Sequence, residues 1–224
     1  MKKVTLSMKQ IDTAQRILDT AERLFAQRGF HSTSTRALAH EARVNQAAIN
    51  YHFGSKENLL EAVIERRLVP LIKLQINKLQ TIRETALKER RRPKTKDVLL
   101  AIVEPTFTSI RSLLKNRSFF TLAGRLFSEP EGAARAIFQQ KFEPLFSLLL
   151  NTMKDALPEL PEELLVWRLF FSIGALVQAM RMFAGDVPVP DKITLVDDAA
   201  VVAGLLLTFV TCGMKAPLSI YEDS

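Results

Sequence analysis

Residues 34–36 and 45–56 bring together Ser34, Thr35 and Arg36, then Asn45, Gln46, Ala47, Asn50, Tyr51, His52 and Lys56. A carboxamide donates and accepts through adjacent atoms, so Gln46 and Asn50 can make bidentate contacts to an adenine edge. The methyl group of Ala47 can touch a thymine methyl in the same groove. Thr35 and Arg36 can reach a phosphate or a guanine edge, and His52 and Lys56 flank the set where phosphates would lie. Ser34 and Asn45 suit helix N-caps, and backbone amides at helix starts attract anions. Two plainer readings stay open. Tyr51 can pack over the end of a preceding helix, and His52 can serve a structural hydrogen bond. Ile49 and Phe53 are expected in the core.

Helices must position these side chains. In SMKQIDTAQRILDTAERLFAQRGF, Ile11, Ala14, Ile17, Leu18, Ala21, Leu24 and Phe25 fall on one helical face. Ser7 with Gln10 forms a capping box, and Gly29 stands at the C-terminal cap position. A short helix follows Ser34, with Leu38, Ala39 and Ala42 inward, and Arg43-Val44 leads to the next cap, Asn45. The third helix spans Gln46 to His52 and is broken at Gly54-Ser55. Ser55 caps a long helix that runs toward Arg92 and is kinked by Pro70. Two short helices joined by a three-to-four-residue turn and braced by a longer one describe a helix-turn-helix. Beyond Pro93, more apolar helices are expected near 95–115, 118–128, 131–156, 161–184 and 191–213. The expected fold is all-α. An N-terminal three-helix helix-turn-helix domain (1–55) precedes a C-terminal helical ligand-binding and dimerisation domain (56–224).

Composition narrows the function classes. The 224-residue chain carries 31 Lys/Arg against 24 Asp/Glu, a net +7. Residues 1–96 hold +11 of this and the remainder −4, as expected of a basic half facing a polyanion. A lone cysteine, Cys212, forms no internal disulfide and points to a cytoplasmic protein. MKKVTLSMKQ has no apolar core, so no signal peptide is expected. The apolar run AAVVAGLLLTFVTCGM reads as a buried helix and no membrane partner is expected. The three histidines, His31, His40 and His52, form no metal or catalytic motif. No cofactor is expected, and an enzyme is disfavoured.

The stretch GFHSTSTRALAHEARVNQAAINYHFGSKENLLEAV, residues 29–63, resembles the N-terminal DNA-binding domain of the TetR family of transcriptional regulators. The matching features are Gly29-Phe30, Thr33-Ser34, Leu38-Ala39, Val44, Tyr51–Phe53 and Ser55–Glu57. The resemblance implies a homodimer, usually a repressor, acting on a double-stranded DNA operator. It implies a ligand-binding C-terminal half and places Thr35, Arg36, Gln46, Ala47, Asn50, Tyr51, His52 and Lys56 at the DNA. VN-AA-NYHFGSK is similar to a subgroup responsive to fatty acids. The sequence departs from the family at Arg43, where the turn usually holds glycine. A left-handed conformation there costs about 1–2 kcal/mol. Ala47, Ala48 and Asn50 also depart, so operator sequences cannot be carried over.

Eleven of the 14 phenylalanines follow residue 96. Phe107, Phe119, Phe120, Phe127, Phe138 and Phe142 are expected to line a pocket for a small apolar ligand, a fatty acid or acyl-CoA, between helices parted by Pro105 and Pro144. Arg111, Arg125 and Arg135 can meet an acidic head group at its rim. The segments near 161–184 and 191–213 are apolar all round, as expected of a homodimer interface or a buried hairpin. The rival functions are a non-specific DNA-binding protein and a lipid-binding carrier.

Overall fold

Ile17, Ala21, Leu24 and Phe25 recur at helical spacing, and all four are fully buried on α1 (Met8–Arg28). The computed structural model describes residues 8–112, 118–128, 132–185, 187–190 and 192–217. Side chains are not described at 8–11, 110–112, 118–120, 127, 128 and 184. The expected cap Ser7 lies outside the described residues. At the other end of α1, Gly29 takes φ 82° and its N–H donates to the Phe25 carbonyl at 2.9 Å. Few residues other than glycine tolerate that backbone region.

The remaining helices are α2 (Thr35–Glu41), α3 (Gln46–Phe53), α4 (Lys56–Lys88), α5 (Thr95–Ser112), α6 (Ser118–Ser128), α7 (Ala133–Ala156), α8 (Glu162–Ala184) and α9 (Ala199–Met214). Among the described residues there is no strand, so the all-α reading holds. Two boundaries differ from expectation. Helix α4 stops at Lys88, short of Arg92. The Arg91 N–H donates to the Ala86 carbonyl (2.9 Å) and that of Arg90 to the Leu87 carbonyl (3.1 Å), with Arg90 at φ 49°. This hydrogen-bonded reversal satisfies the last carbonyls and ends the helix before Pro93 can. Helix α9 begins at Ala199 instead of 191. The Asp198 side chain accepts from the Ala200 (2.7 Å) and Val201 (3.1 Å) amides, and so sets the start.

The chain divides into two compact units. The N-terminal unit holds residues 1–70 and 118–141, the C-terminal unit residues 71–117 and 142–224. The expected division at 55/56 therefore falls inside the N-terminal unit. In that unit α1 packs against α6 and against α2 and α3. In the C-terminal unit α9 packs against α5 and α8.

Candidate nucleic-acid interface

Leu38 and Ile49 are fully buried and Ala39 nearly so, which locks α2 onto α3. Val44 and Phe53 are only half-buried. Phe53 was expected in the core, but it ends α3 against the His52 ring, centroids 6.2 Å apart. The short helices start where local chemistry places them. Ser34 Oγ accepts from the Ala37 amide at 3.1 Å and Asn45 Oδ1 from the Ala48 amide at 2.8 Å. Ser55 Oγ likewise accepts from Asn58 at 3.0 Å to open α4.

Between α2 and α3 the chain turns through Arg43 at φ 54°. The Val44 N–H donates to the Ala39 carbonyl (3.0 Å) and that of Arg43 to the His40 carbonyl (3.1 Å). The turn is thus the helix-ending motif that favours glycine, built here around an exposed arginine.

The outward set is brought together. Ser34, Arg36, Asn45, Gln46, Ala47, Asn50 and Tyr51 are exposed, and Thr35 and His52 are half-buried. Gln46 Nε2 donates to Thr35 Oγ1 at 2.9 Å and ties the starts of the two helices together. Its oxygen and second N–H stay on the open face, the pair an adenine edge requires. Tyr51, 66% exposed, points away from the core and meets the His52 ring edge-on at 5.1 Å.

Lys56 has a task the sequence did not reveal. Its ammonium donates to the carbonyls of Phe30 (3.1 Å) and Thr33 (3.2 Å) and lies 4.2 Å from the Phe30 ring centroid. Two of its three N–H bonds therefore hold the loop between α1 and α2. Thr33, fully buried, braces the same loop by donating to the Gly29 carbonyl at 2.7 Å.

A second unanticipated feature is a carboxylate with 1% of its side chain exposed, Glu22 of α1. Arg66 and Arg67 of α4 both donate to it, Arg67 at 3.0 Å, while Arg66 also pairs with Asp19 at 2.7 Å. Nearby, Arg23 pairs with Glu41 at 2.9 Å. That hydrogen bond, then the guanidinium charge, holds the Glu41 carboxyl below the usual value. Lys141 bridges Glu61 (2.8 Å) and Glu65 (2.9 Å) of α4, and hydrogen bonds to both carboxylates hold its ammonium above the usual value. The Glu22 and Lys141 pairs hold the part of α4 that belongs to the N-terminal unit, up to Pro70.

The expected ligand residues are divided between the two units. Phe119, Phe120 and Phe127 of α6, which packs on α1, fall in the N-terminal unit with Phe138 of α7. The side chains of Phe119, Phe120 and Phe127 lie outside the described residues, and Phe138 is buried. Arg125, expected at a pocket rim, donates to the Gln27 carbonyl at 3.3 Å instead. Phe107 and Phe142 belong to the C-terminal unit. Phe107 lines a cavity of about 360 Å³ between α5 and α9, walled also by Leu100, Val103, Ala203 and Leu207. Phe142 faces Phe146, which stacks on Phe170 at 5.5 Å. On α8 and α9, Trp167, Phe171, Leu205 and Phe209 are 54%, 66%, 62% and 70% exposed. By length and composition, Glu162–Phe183 can also cross a membrane, and 17% of its most apolar window is buried.

A helix-turn-helix with carboxamides, a methyl, an arginine and a tyrosine on its open face defines a DNA-binding protein. The description "Bacterial regulatory proteins, tetR family" matches residues 17–63, and "Tetracyclin repressor-like, C-terminal domain" matches residues 101–213. The chain belongs to the TetR family and is a DNA-binding transcriptional regulator, not an enzyme.

Among similar proteins, the Escherichia coli regulator UidR is 38% identical over 52 residues, 23% of this chain and 26% of that protein. The Shigella flexneri regulator AcrR is 32% identical over 103 residues, 46% of each. The chain thus spans a quarter to about half the length of these relatives. A TetR-like regulator from Rhodococcus sp. RHA1 superposes with TM-score 0.61 at 19% identity, covering 92% of this chain and 97% of that one. A candidate fatty acid metabolism regulator from Clostridium perfringens superposes at 0.59 and 19% identity, covering 90% and 100%. At such identities the likeness is one of fold.

Proposed function

We infer that the protein is a cytoplasmic, homodimeric repressor, released from a partly palindromic operator by a small apolar ligand. Residues 1–55 read the DNA, and residues 56–224 bind ligand and dimerise. The observation that carries this reading is the open face of α3, where Gln46, Ala47 and Asn50 stand clear of every core contact. In a dimer two such helices enter successive major grooves, so half-sites lie about one helical turn apart. Dimerisation is supported by the exposed apolar side chains of α8 and α9, a surface that water disfavours and a second copy would cover. The fatty-acid or acyl-CoA ligand class is supported by the phenylalanine content and by the description of the Clostridium relative. Ligand weakens operator binding by the difference in its affinity for the two states of the dimer.

Selection of bound sequences from a random DNA pool tests the reading, and a two-fold symmetric site is expected. A site without symmetry refutes the dimeric arrangement. Asn50→Ala should change base preference at one position per half-site by about 1–3 kcal/mol. An equal loss on operator and random DNA removes Asn50 from the reading set. Phe209→Glu should shift the protein to monomer in sedimentation, and an unchanged dimer places the interface elsewhere. Release by another compound class, with fatty acids and acyl-CoAs inert, overturns the ligand assignment.

A further inference from the structure

The positive charge is not confined to the DNA-reading head. Residues 71–96 carry 9 Lys/Arg against 2 acids, and they belong to the C-terminal unit. Six of those cations lie in the nine residues Lys88–Lys96, with Glu89 the one acid among them. Arg91 pairs with Glu89, and Arg92 with Glu159 at 3.3 Å. Lys88, Arg90, Lys94 and Lys96 are exposed and engage no acid or acceptor among the described residues.

These four cations are displayed from a rigid turn. The Arg91 and Arg90 amides close it on α4, and Pro93 and Thr95 are buried beneath it. Arg90 holds φ 49°, a conformation in which glycine is easier by about 1–2 kcal/mol. Its side chain makes no hydrogen bond or ion pair among the described residues.

The chemistry of the patch selects its partner. No aromatic lies between Lys88 and Lys96, so bases of a single strand find no stacking platform. Among the described residues, Leu87 (80% exposed) and Leu100 (37% exposed) are the exposed large apolar side chains within a turn of it, too few for insertion into a lipid surface. What remains is a fixed array of point charges suited to a phosphate backbone. We propose that the turn between α4 and α5 is a second, sequence-independent binding surface for duplex DNA outside the half-site read by α3. Its occupant is a second duplex, separate from the operator.

The test uses the full-length protein saturated with its selected operator, then offered a labelled duplex of unrelated sequence. Wild type is expected to capture the second duplex, with capture falling about 100-fold between 50 and 200 mM salt for four phosphate contacts. Combining Lys88→Gln, Arg90→Gln, Lys94→Gln and Lys96→Gln should reduce capture at least about tenfold while short-operator affinity stays within about twofold. The charge-conserving set Lys88→Arg, Arg90→Lys, Lys94→Arg and Lys96→Arg should keep the effect, which separates charge from misfolding. The proposal is overturned if the neutral variant captures the second duplex as wild type does, whatever its affinity for long operator DNA. Preference for phosphatidylserine vesicles or polyglutamate over duplex also overturns it. Should no operator be selected, the proposed function fails by itself. The patch is then judged on random duplex, where the neutral variant's salt slope should be shallower by about 3–4.

Discussion

Replacing Arg43 by glycine tests the turn between α2 and α3 most directly. Arg43 holds φ 54°, and its neighbours complete the hydrogen bonds of the turn whatever its side chain. Relieving an L-residue of this conformation stabilises by about 1–2 kcal/mol. Glycine also loosens the unfolded chain, which takes back about 0.4–1 kcal/mol. The exposed arginine makes no hydrogen bond or ion pair among the described residues, so losing it changes stability by at most about 0.5 kcal/mol. The net expectation is a gain of about 0.5–1 kcal/mol. For a chain of this size that raises Tm by about 1–4 °C. The assay is thermal melting by circular dichroism at one protein concentration, since subunit association also moves Tm. Arg43→Ala is the control, because it removes the guanidinium and keeps the strained Cβ. The reasoning fails if Arg43→Gly melts at or below wild type, or if Arg43→Ala gains as much. Salt titration of operator binding on the same variants isolates any phosphate contact of Arg43, worth about 0.9 in slope.

Three further outcomes follow from the geometry. Lys56→Ala should cost about 2 kcal/mol by freeing the Phe30 and Thr33 carbonyls, and should weaken operator and random DNA alike. Unchanged urea unfolding would leave the ammonium a role at DNA alone. Glu22→Gln should lower stability by about 2–3 kcal/mol, because Arg66 and Arg67 lose their buried counter-charge yet keep some solvent. A urea midpoint within error of wild type would show that the cluster does not hold α1 to α4. Stability should also vary with pH at both extremes. The lowered Glu41 contributes above its ordinary 4.5 and its contribution is lost as pH falls through the lowered value. The raised Lys141 contributes below its ordinary 10.5 and its contribution is lost as pH rises through the raised value. Melting across pH should show a shallower acid limb in Glu41→Gln and a shallower alkaline limb in Lys141→Met. Limbs identical to wild type would exclude these pairs.

Local chemistry made much of the chain legible. The caps at Ser34, Asn45 and Ser55 each act within three residues, and the apolar spacing of α1 is periodic, so sequence alone located those helix starts and faces. The open set on α3 was legible for a similar reason: once Ile49 turns inward, helical geometry turns Ala47 and Asn50 away from the core, while Gln46 is exposed because it opens the helix. The left-handed turn at Arg43 followed from the resemblance. The end of α4 did not, because the arginine-rich turn lacks the glycine that signals a stop.

What tertiary structure decided lies at longer range. The sequence offers Lys56 only as a DNA contact; the structural task on the carbonyls of Phe30 and Thr33, 26 and 23 residues away, emerges once they come within reach of its ammonium. Glu22 carries no signal in the sequence, and only the fold brings Arg66 and Arg67, 44 and 45 residues on, against it. The phenylalanines look like one cluster along the chain, but α6 packs on α1 and assigns them to two units. Sequence determined which helices form and which faces they show, because caps and periodicity are local. Only the tertiary structure decided which charges stay free for a partner, because that depends on groups the chain brings together from far apart.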